Sequence, residues 1–162
     1  MNKILITGAS GQLGKSLKNH LSSKFESYFF SRAELDINDL ETLSERLQSI
    51  NPDIIINCAA MTNVDNCEID SDKAFDINAY AISHFKNNFN GTFIQLSTDF
   101  VFDGVNGPYQ ENDLPNPINN YGLSKLKGEE IVKNLFEKHC IIRTNTLFSN
   151  SSDASFLSWV VN

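Results

Sequence analysis

Residues 3–14 read KILITGASGQLG, an apolar run that is followed at once by regularly spaced glycines. A run such as KILIT is typical of a strand buried on both faces of a sheet. The GxxGxxG spacing is a variant of the dinucleotide fingerprint: Gly8 permits a tight turn, Gly11 lets a phosphate approach the backbone, and Gly14 lets the helix lie close to the strand. The first turn of a helix offers unpaired N–H groups and roughly half a positive charge, which suit a pyrophosphate. The stretch therefore predicts a strand, a phosphate-binding turn and the start of a helix.

Behind this stretch, strand patterns alternate with helix patterns along the whole chain. Strands are predicted at residues 26–31, 53–57, 92–97 and 140–143, and helices at 12–24, 39–50, 71–88 and 121–138, with a further helix starting near Ser155. This alternation predicts an α/β fold, a doubly wound parallel sheet of the Rossmann type with helices on both faces. With right-handed crossovers we expect the strand order 3-2-1-4-5 and a ligand across the carboxyl ends of the strands.

Length and charge limit the classes of protein that the chain can represent. With 162 residues we expect a dinucleotide-binding Rossmann-like domain over residues 1–150, after which residues 151–162 begin a truncated C-terminal segment. The net charge of −7 argues against nucleic acid as a partner. No apolar run reaches the roughly 20 residues of a membrane span, so we predict no membrane partner.

The cysteines and the N-terminus indicate a cytoplasmic protein. Cys58, Cys67 and Cys140 lack the spacing of a metal site, and we interpret them as buried, reduced thiols. We predict no metal site. The N-terminus has no basic segment followed by an apolar segment of the kind that directs secretion.

Tyr121 and Lys125 are four residues apart in a helix pattern, so they share one face of that helix. A free tyrosine has a pKa of about 10, and a nearby ammonium lowers that pKa so that the phenol can exchange a proton with a carbonyl oxygen. An isolated pair with this spacing is otherwise typical of a solvated helix face. Ser97 and Thr98 end the fourth strand, and a hydroxyl there would point into the same cleft, which favours the catalytic interpretation.

Seven stretches of the chain match one family in that family's order: ITGASGQLG, LDIND, PDIIINCAAMTNVDNCE, INA, QLSTDFVFDG, PYQENDLPNPINNYGLSK and IIRTN. By these stretches the chain resembles the N-terminal part of the dTDP-4-dehydrorhamnose reductases, which are extended short-chain dehydrogenases/reductases. The resemblance implies reduction of the 4-keto group of dTDP-4-dehydro-6-deoxy-L-mannose to dTDP-L-rhamnose with NADPH or NADH. It implies that Tyr121 protonates the new alkoxide, that Lys125 tunes Tyr121 and holds the nicotinamide ribose, and that Thr98 orients the ketone.

The same resemblance implies a set of cofactor contacts: Gly8, Gly11, Gln12 and Leu13 at the pyrophosphate, Asp36 and Ile37 at the adenine, Ala59 and Ala60 beside the middle of the cofactor, and Tyr121 and Lys125 at its nicotinamide end. Arg32 follows the second strand, where a 2′-phosphate would lie. No acidic residue ends that strand to bind a free 2′-hydroxyl, so we expect NADP(H) in preference to NAD(H). Two alternatives stay open, namely Arg32 as an exposed loop cation and Asp36 as the cap of the next helix.

Several positions depart from the family's pattern. Phe100 and Thr146 stand where the family commonly has a tyrosine and a tryptophan near the sugar, which leaves the exact sugar nucleotide open. Ser16 replaces a glutamate that helps to bind a metal at the dimer interface of some members, and a homodimer stays open. Asn78 either relays a proton through water or is an ordinary packed side chain. The chain also ends before the region in which the family holds its sugar nucleotide.

Two other functions are therefore compared with the reductase hypothesis. The family has a non-catalytic relative, the regulatory subunit of methionine adenosyltransferase. The shortness of the chain favours such an NADP-binding role, whereas the intact Thr98, Tyr121 and Lys125 argue against it. The other is a different nucleotide-sugar epimerase or reductase of the same superfamily, against which the stretch STDFVFDG argues.

Overall fold

A computed structural model of the chain describes residues 2–147 and shows one sheet of five strands. The strands are β1 (Lys3–Thr7), β2 (Glu26–Phe30), β3 (Ile54–Asn57), β4 (Thr92–Thr98) and β5 (His139–Thr144). All neighbouring strands run parallel, which confirms the predicted α/β fold with a doubly wound, Rossmann-type sheet. The predicted helix near Ser155 and the predicted domain boundary at residue 150 lie outside the described residues.

The strand order in the sheet is β2-β1-β3-β4-β5, so the predicted order 3-2-1-4-5 is wrong. Both orders satisfy the right-handed crossover rule, so that rule alone does not select between them. The composition of the strands agrees with the observed order, because β3 carries three consecutive isoleucines and is suited to a central position, whereas β2 begins with Glu26 and Ser27 and its side chains stay exposed or half-buried at the edge. The order reverses between β1 and β3, and their carboxyl ends, Thr7 and Asn57, lie side by side.

Helical segments connect the strands. The α-helices are α1 (Gln12–Leu21), α2 (Leu40–Ile50), α3 (Val64–Ile69), α4 (Ser71–Asn78) and α5 (Asn120–Leu135), and 3₁₀ segments cover Tyr80–Asn88 and Asp99–Val101. The single helix predicted over residues 71–88 is therefore divided at Ala79, whose φ of −128° and ψ of −68° are not helical. Helix α3 lies in a stretch for which neither a strand nor a helix was predicted, and the Asn63 side chain stabilises it as N-cap by accepting a hydrogen bond from the backbone N–H of Asn66.

Aromatic rings form the centre of the hydrophobic core. The Phe93 ring of β4 stacks on Phe136 with 4.4 Å between centroids and meets Phe85 edge to face at 5.3 Å. Such pairs contribute about 0.5–1.5 kcal/mol beyond the burial of their surface. Leu5 of β1 and Ile55 of β3 are fully buried in the same cluster. The core thus joins the sheet to the helical segments on it and holds the strand ends in place.

A buried hydrogen-bond ladder joins the carboxyl ends of β1 and β3 to the middle of β4. The Thr7 hydroxyl donates to the side-chain oxygen of Asn57 at 2.6 Å, and the Asn57 amide donates to the side-chain oxygen of Gln95 at 2.8 Å. The Thr7 hydroxyl also accepts a hydrogen bond from the backbone N–H of Ala59 at 3.3 Å. All three ladder side chains are almost completely buried, so each unmade bond would be costly. The ladder therefore fixes the edge of the sheet that faces the functional site.

Two further predictions concern membranes and thiols. Within residues 2–147, no helix is both long and apolar enough to cross a bilayer. The cysteines are free thiols, of which Cys67 is buried and Cys58 half-buried. The prediction of buried thiols is wrong for Cys140, which is exposed on the edge strand β5.

Candidate active site

A cavity of about 860 Å³ opens at the carboxyl ends of the strands, where the strand order reverses. Its walls come from the segments after β1, β2, β3 and β4, from α5 and from the segment after β5. All the site residues that the sequence predicts line it: Gly8, Gly11, Gln12, Leu13, Arg32, Asp36, Ile37, Ala59, Ala60, Thr98, Tyr121 and Lys125. Cofactor sites in proteins commonly have volumes of roughly 300–1,000 Å³. The fold therefore brings residues from separate motifs into one site of suitable size.

The glycine-rich turn has a backbone that accepts little else. Gly8 has a φ of +65°, and a Cβ on it would lie 2.6 Å from the carbonyl carbon of Cys58, so only glycine fits. A Cβ on Gly14 would lie 2.6 Å from the Cα of Ala9, so this glycine lets α1 pack closely on the turn. At Gly11 a Cβ would meet the Gly8 carbonyl oxygen at 3.3 Å, and the remaining space is open. Gly11 is also the N-cap of α1 and brings no capping side chain, which leaves the first N–H groups of α1 available to an anion.

Arg32 and Asp36 form an ion pair in the cavity wall, with 3.3 Å between Nε and Oδ2. The Arg32 side chain is 68% exposed, so its guanidinium can turn toward a phosphate at little cost. Asp36 also accepts a hydrogen bond from the backbone N–H of Asn38 at 3.0 Å. The N-cap of α2 is Asp39, whose carboxylate accepts the N–H of Thr42, so the alternative of Asp36 as the helix cap is wrong.

Asn78 is held by three hydrogen bonds. Its amide oxygen accepts the N–H of Met61 at 2.8 Å, while its amide nitrogen donates to the Met61 carbonyl oxygen at 3.0 Å and to the Ser124 hydroxyl at 2.9 Å. Both donors and the acceptor oxygen are engaged and the residue is 1% exposed, so these contacts support the packed role over the proton relay. Asn78 thereby joins α5 to the segment that carries Ala59 and Ala60.

The start of α5, which carries Tyr121, is anchored at two points. The side chain of the N-cap Asn119 accepts the N–H of Gly122 at 2.7 Å. Asn120 donates its backbone and side-chain N–H groups to the Glu68 carboxylate of α3, at 2.7 and 2.8 Å. These bonds fix the first turn of the helix and with it the backbone that carries the phenol.

Burial raises the pKa of Tyr121 above its ordinary value, and a hydrogen bond with Thr98 offsets part of that rise. The expectation that Lys125 lowers this pKa is wrong, because burial is the largest influence on it and raises it. The phenol is therefore protonated at neutral pH and has a proton to donate, although the raised pKa makes it a weaker acid than a free tyrosine.

Lys125 is 3% exposed, and its Nζ donates to the carbonyl oxygen of Leu96 at 2.6 Å. Burial lowers the pKa of Lys125 to about 8, while the Glu129 carboxylate one turn along α5 opposes that shift. An ammonium has three donors, so the bond to Leu96 leaves donors for a ligand. At neutral pH the cavity therefore contains a buried cation beside a protonated phenol.

A buried ion pair behind these residues is not evident from the sequence. Glu129 is fully buried, and Arg143 donates from Nε and Nη2 to its two carboxylate oxygens at 2.9 and 2.7 Å. The hydroxyl of Ser97, which was expected to point into the cleft, donates to Glu129 at 2.6 Å. In the sequence, Glu129 stands four residues after Lys125, a spacing that is typical of an exposed helix face. The sequence therefore gives little indication that Glu129 is buried against Arg143.

The two positions near the predicted sugar site also line the cavity. The Phe100 ring meets the Tyr121 ring edge to face, with 5.6 Å between centroids, and Thr146 lies on the segment after β5. A phenylalanine and a threonine there give the cavity different hydrogen-bonding groups from those that the family commonly has.

A parallel sheet with a glycine turn at its reversal point, and a cavity that unites Thr98, Tyr121 and Lys125, define the Rossmann-type class of short-chain dehydrogenases/reductases. The family model described as the RmlD substrate binding domain matches residues 1–162. The chain belongs to this family, that of the dTDP-4-dehydrorhamnose reductases which its motifs resemble.

Individual proteins show the extent of the similarity. The dTDP-4-dehydrorhamnose reductase of Aggregatibacter actinomycetemcomitans is 36% identical over 154 residues, which cover 91% of this chain and 52% of that protein. The methionine adenosyltransferase 2 subunit beta of Danio rerio is 35% identical over 159 residues, 90% of this chain and 48% of that protein. The crystal structure of dTDP-4-dehydrorhamnose reductase from Bacillus anthracis in complex with NADP is 37% identical with a TM-score of 0.93, and the match covers 99% of this chain and 58% of that one. This chain thus spans about half the length of these relatives.

Proposed function

We propose that this chain carries the cofactor-binding and proton-donating part of an NADP(H)-dependent nucleotide-sugar reductase. The proposed reaction is the reduction of the 4-keto group of dTDP-4-dehydro-6-deoxy-L-mannose to dTDP-L-rhamnose. The observation that carries the proposal is that Thr98, Tyr121 and Lys125 line the same cavity as the glycine turn. Family membership supports it, since relatives such as the Aggregatibacter protein bear the name of this activity.

The residues of the cavity fit a dinucleotide. The open space at Gly11 and the uncapped N-terminus of α1 suit a pyrophosphate. We assign Arg32 to the 2′-phosphate of NADP(H), and the Bacillus anthracis relative binds NADP. The other proposed contacts are Gly8, Gly11, Gln12 and Leu13 at the pyrophosphate, Asp36 and Ile37 at the adenine, and Ala59 and Ala60 beside the middle of the cofactor.

In the proposed mechanism each of the three residues has one task. The bound dihydronicotinamide supplies the hydride that reduces the ketone. Tyr121 donates its phenolic proton to the ketone oxygen as that oxygen gains negative charge, and its raised pKa keeps it protonated until then. Thr98 orients the ketone through its hydroxyl. The Lys125 ammonium, which keeps free donors beside its bond to Leu96, binds the nicotinamide ribose.

The proposal is tested by mixing the protein with NADPH and dTDP-4-dehydro-6-deoxy-L-mannose and following NADPH oxidation and the sugar products. The expected result is oxidation of one NADPH for each dTDP-L-rhamnose that forms. A changed sugar without net NADPH oxidation would instead indicate an epimerase of the same superfamily. Binding of NADPH without any change of the sugar would reject the catalytic proposal for this chain.

The similarity to the methionine adenosyltransferase 2 subunit beta of Danio rerio favours a second candidate, an NADP-binding subunit without turnover. Its identity of 35% is close to the 36% of the Aggregatibacter reductase, so identity alone does not separate the two functions. The second candidate predicts NADPH binding that is insensitive to every nucleotide sugar. A homodimer and a cytoplasmic location stay predictions under both candidates.

A further inference from the structure

One face of α5 is joined to β4 at three successive β4 residues. The α5 residues involved are at positions 121, 125 and 129, which lie one above another on the helix. The pairs are Tyr121 with Thr98, Lys125 with the Leu96 carbonyl oxygen, and Glu129 with the Ser97 hydroxyl. Two of the α5 residues belong to the proposed catalytic set, whereas the third, Glu129, does not line the cavity.

Glu129 connects this contact to the next strand. Ser97 of β4 and Arg143 of β5 are direct partners in the sheet register, and both donate hydrogen bonds to the Glu129 carboxylate. The two parallel bonds from Arg143 are the strong, geometrically specific form of an ion pair. Lys133 approaches the same carboxylate at 3.9 Å, and Arg143 itself lies over the Phe102 ring at 5.0 Å. The carboxylate is therefore fixed from α5, β4 and β5 together.

We propose that Glu129 is a positioning residue whose carboxylate, held by Arg143 and Ser97, sets how α5 lies on β4 and places a negative charge one helical turn from the buried Lys125 ammonium. It acts through Lys125 and touches neither the proposed cofactor site nor the sugar. The inference rests on the proposed function only in that this function gives Lys125 its task.

The groups around Lys125 leave Glu129 as the anion that can perform this role. From α5, Glu129 and Tyr121 lie one turn to either side of Lys125, and the Tyr121 phenol is uncharged at neutral pH because burial raises its pKa. Cys58 faces Lys125 from the segment after β3, and the neutral Leu96 carbonyl faces it from β4. Burial raises the pKa of Cys58 to about 12, so its thiol is uncharged at neutral pH. Burial alone drives the pKa of Lys125 down, and Glu129 opposes it. Loss of the Glu129 charge would therefore make the ammonium easier to deprotonate.

The test is an NMR titration of the protein with lysines labelled at ¹³Cε, in the absence of cofactor and sugar. Lys125 is assigned by the signal that disappears in Lys125→Met. Glu129→Gln is expected to lower the titration midpoint of Lys125 by at most about one pH unit, because Arg143 and Lys133 offset part of the carboxylate's charge. Glu130→Gln is the matched control, since Glu130 is the next residue and pairs with Lys127 at the exposed surface. The control is expected to leave the midpoint unchanged.

Glu129→Gln leaves Arg143 without its anion and can fail to fold for that reason, so a second variant completes the test. Glu129→Gln/Arg143→Gln removes both charges together and is expected to show a smaller fall in the Lys125 midpoint, because losing the Arg143 cation favours the ammonium while Glu129 lies on the same helix face as Lys125. An unchanged midpoint in either folded variant overturns the proposal. Failure of both variants to fold also overturns it, since the pair would then serve the fold rather than Lys125. Because no substrate is present, a lower midpoint supports this inference even if the proposed reaction is not observed.

Discussion

The hydroxyl of Thr7 donates a 2.6 Å hydrogen bond to the side-chain oxygen of Asn57, across the point where the strand order reverses. Thr7→Val keeps the shape of the side chain but leaves the Asn57 oxygen and the N–H of Ala59 without this partner. We expect a loss of about 1–3 kcal/mol in the free energy of unfolding, measured by urea denaturation. The control is Thr92→Val, at the first residue of β4 and outside the ladder, which is expected to change the free energy of unfolding by less than about 1 kcal/mol. Equal stabilities of the two variants would contradict the role of the ladder.

Arg32→Ala tests the preference for NADP(H). A charge-assisted bond between a guanidinium and the 2′-phosphate exists only with NADPH, so we expect NADPH binding to weaken by about tenfold and NADH binding to change little. Fluorescence titration with each cofactor measures both. Lys127→Ala removes a surface cation that does not line the cavity and serves as the control for net charge. Equal losses for NADPH and NADH would show that Arg32 does not recognise the phosphate.

The buried position of Lys125 predicts a pH dependence of stability. Burial lowers its pKa from 10.5 to about 8, so between these values the unfolded chain binds more protons than the folded protein and the free energy of unfolding rises with pH. Lys125→Met removes this contribution. The stability of the wild type relative to the variant is therefore expected to increase by up to about 3 kcal/mol as the pH rises from about 8 to 10.5. Urea denaturation of both proteins across this window measures the difference, and a decrease with rising pH would contradict the assignment.

Tyr121→Phe removes the proposed proton donor while it keeps the ring against Phe100. We expect turnover of the keto sugar to fall by about 10²–10⁴ and the dissociation constant for NADPH to stay within about twofold, because the phenol acts mainly in the chemical step. Tyr80→Phe, on an exposed tyrosine outside the cavity, is the control. Unchanged turnover in the Tyr121 variant would mean that another group is the acid.

The features that could be predicted from the sequence are those set by residues close together in the chain. The glycine turn follows from the spacing of Gly8, Gly11 and Gly14, and the shared face of Tyr121 and Lys125 follows from their separation of one helical turn. The alternation of strands and helices likewise predicted the Rossmann-type sheet. All the predicted site residues line one cavity, because parallel strands present their carboxyl ends at one edge.

The features that could not be predicted depend on contacts between distant parts of the chain. The crossover rule permits two strand orders, and the observed one depends on which strands pair across distant parts of the chain. The Glu129–Arg143 pair depends on the register that places Arg143 beside Ser97, which sequence spacing does not reveal. The pKa of Tyr121 depends on burial, which outweighs the helical neighbour that the sequence suggested.

Fluorescence titration of this chain with NADPH is the most direct test that the cavity beside the glycine turn is a dinucleotide site. We expect saturable binding with a dissociation constant on the order of micromolar, or about −8 kcal/mol. Absence of binding by both NADPH and NADH to the folded protein would contradict the assignment of this cavity and of every residue in it.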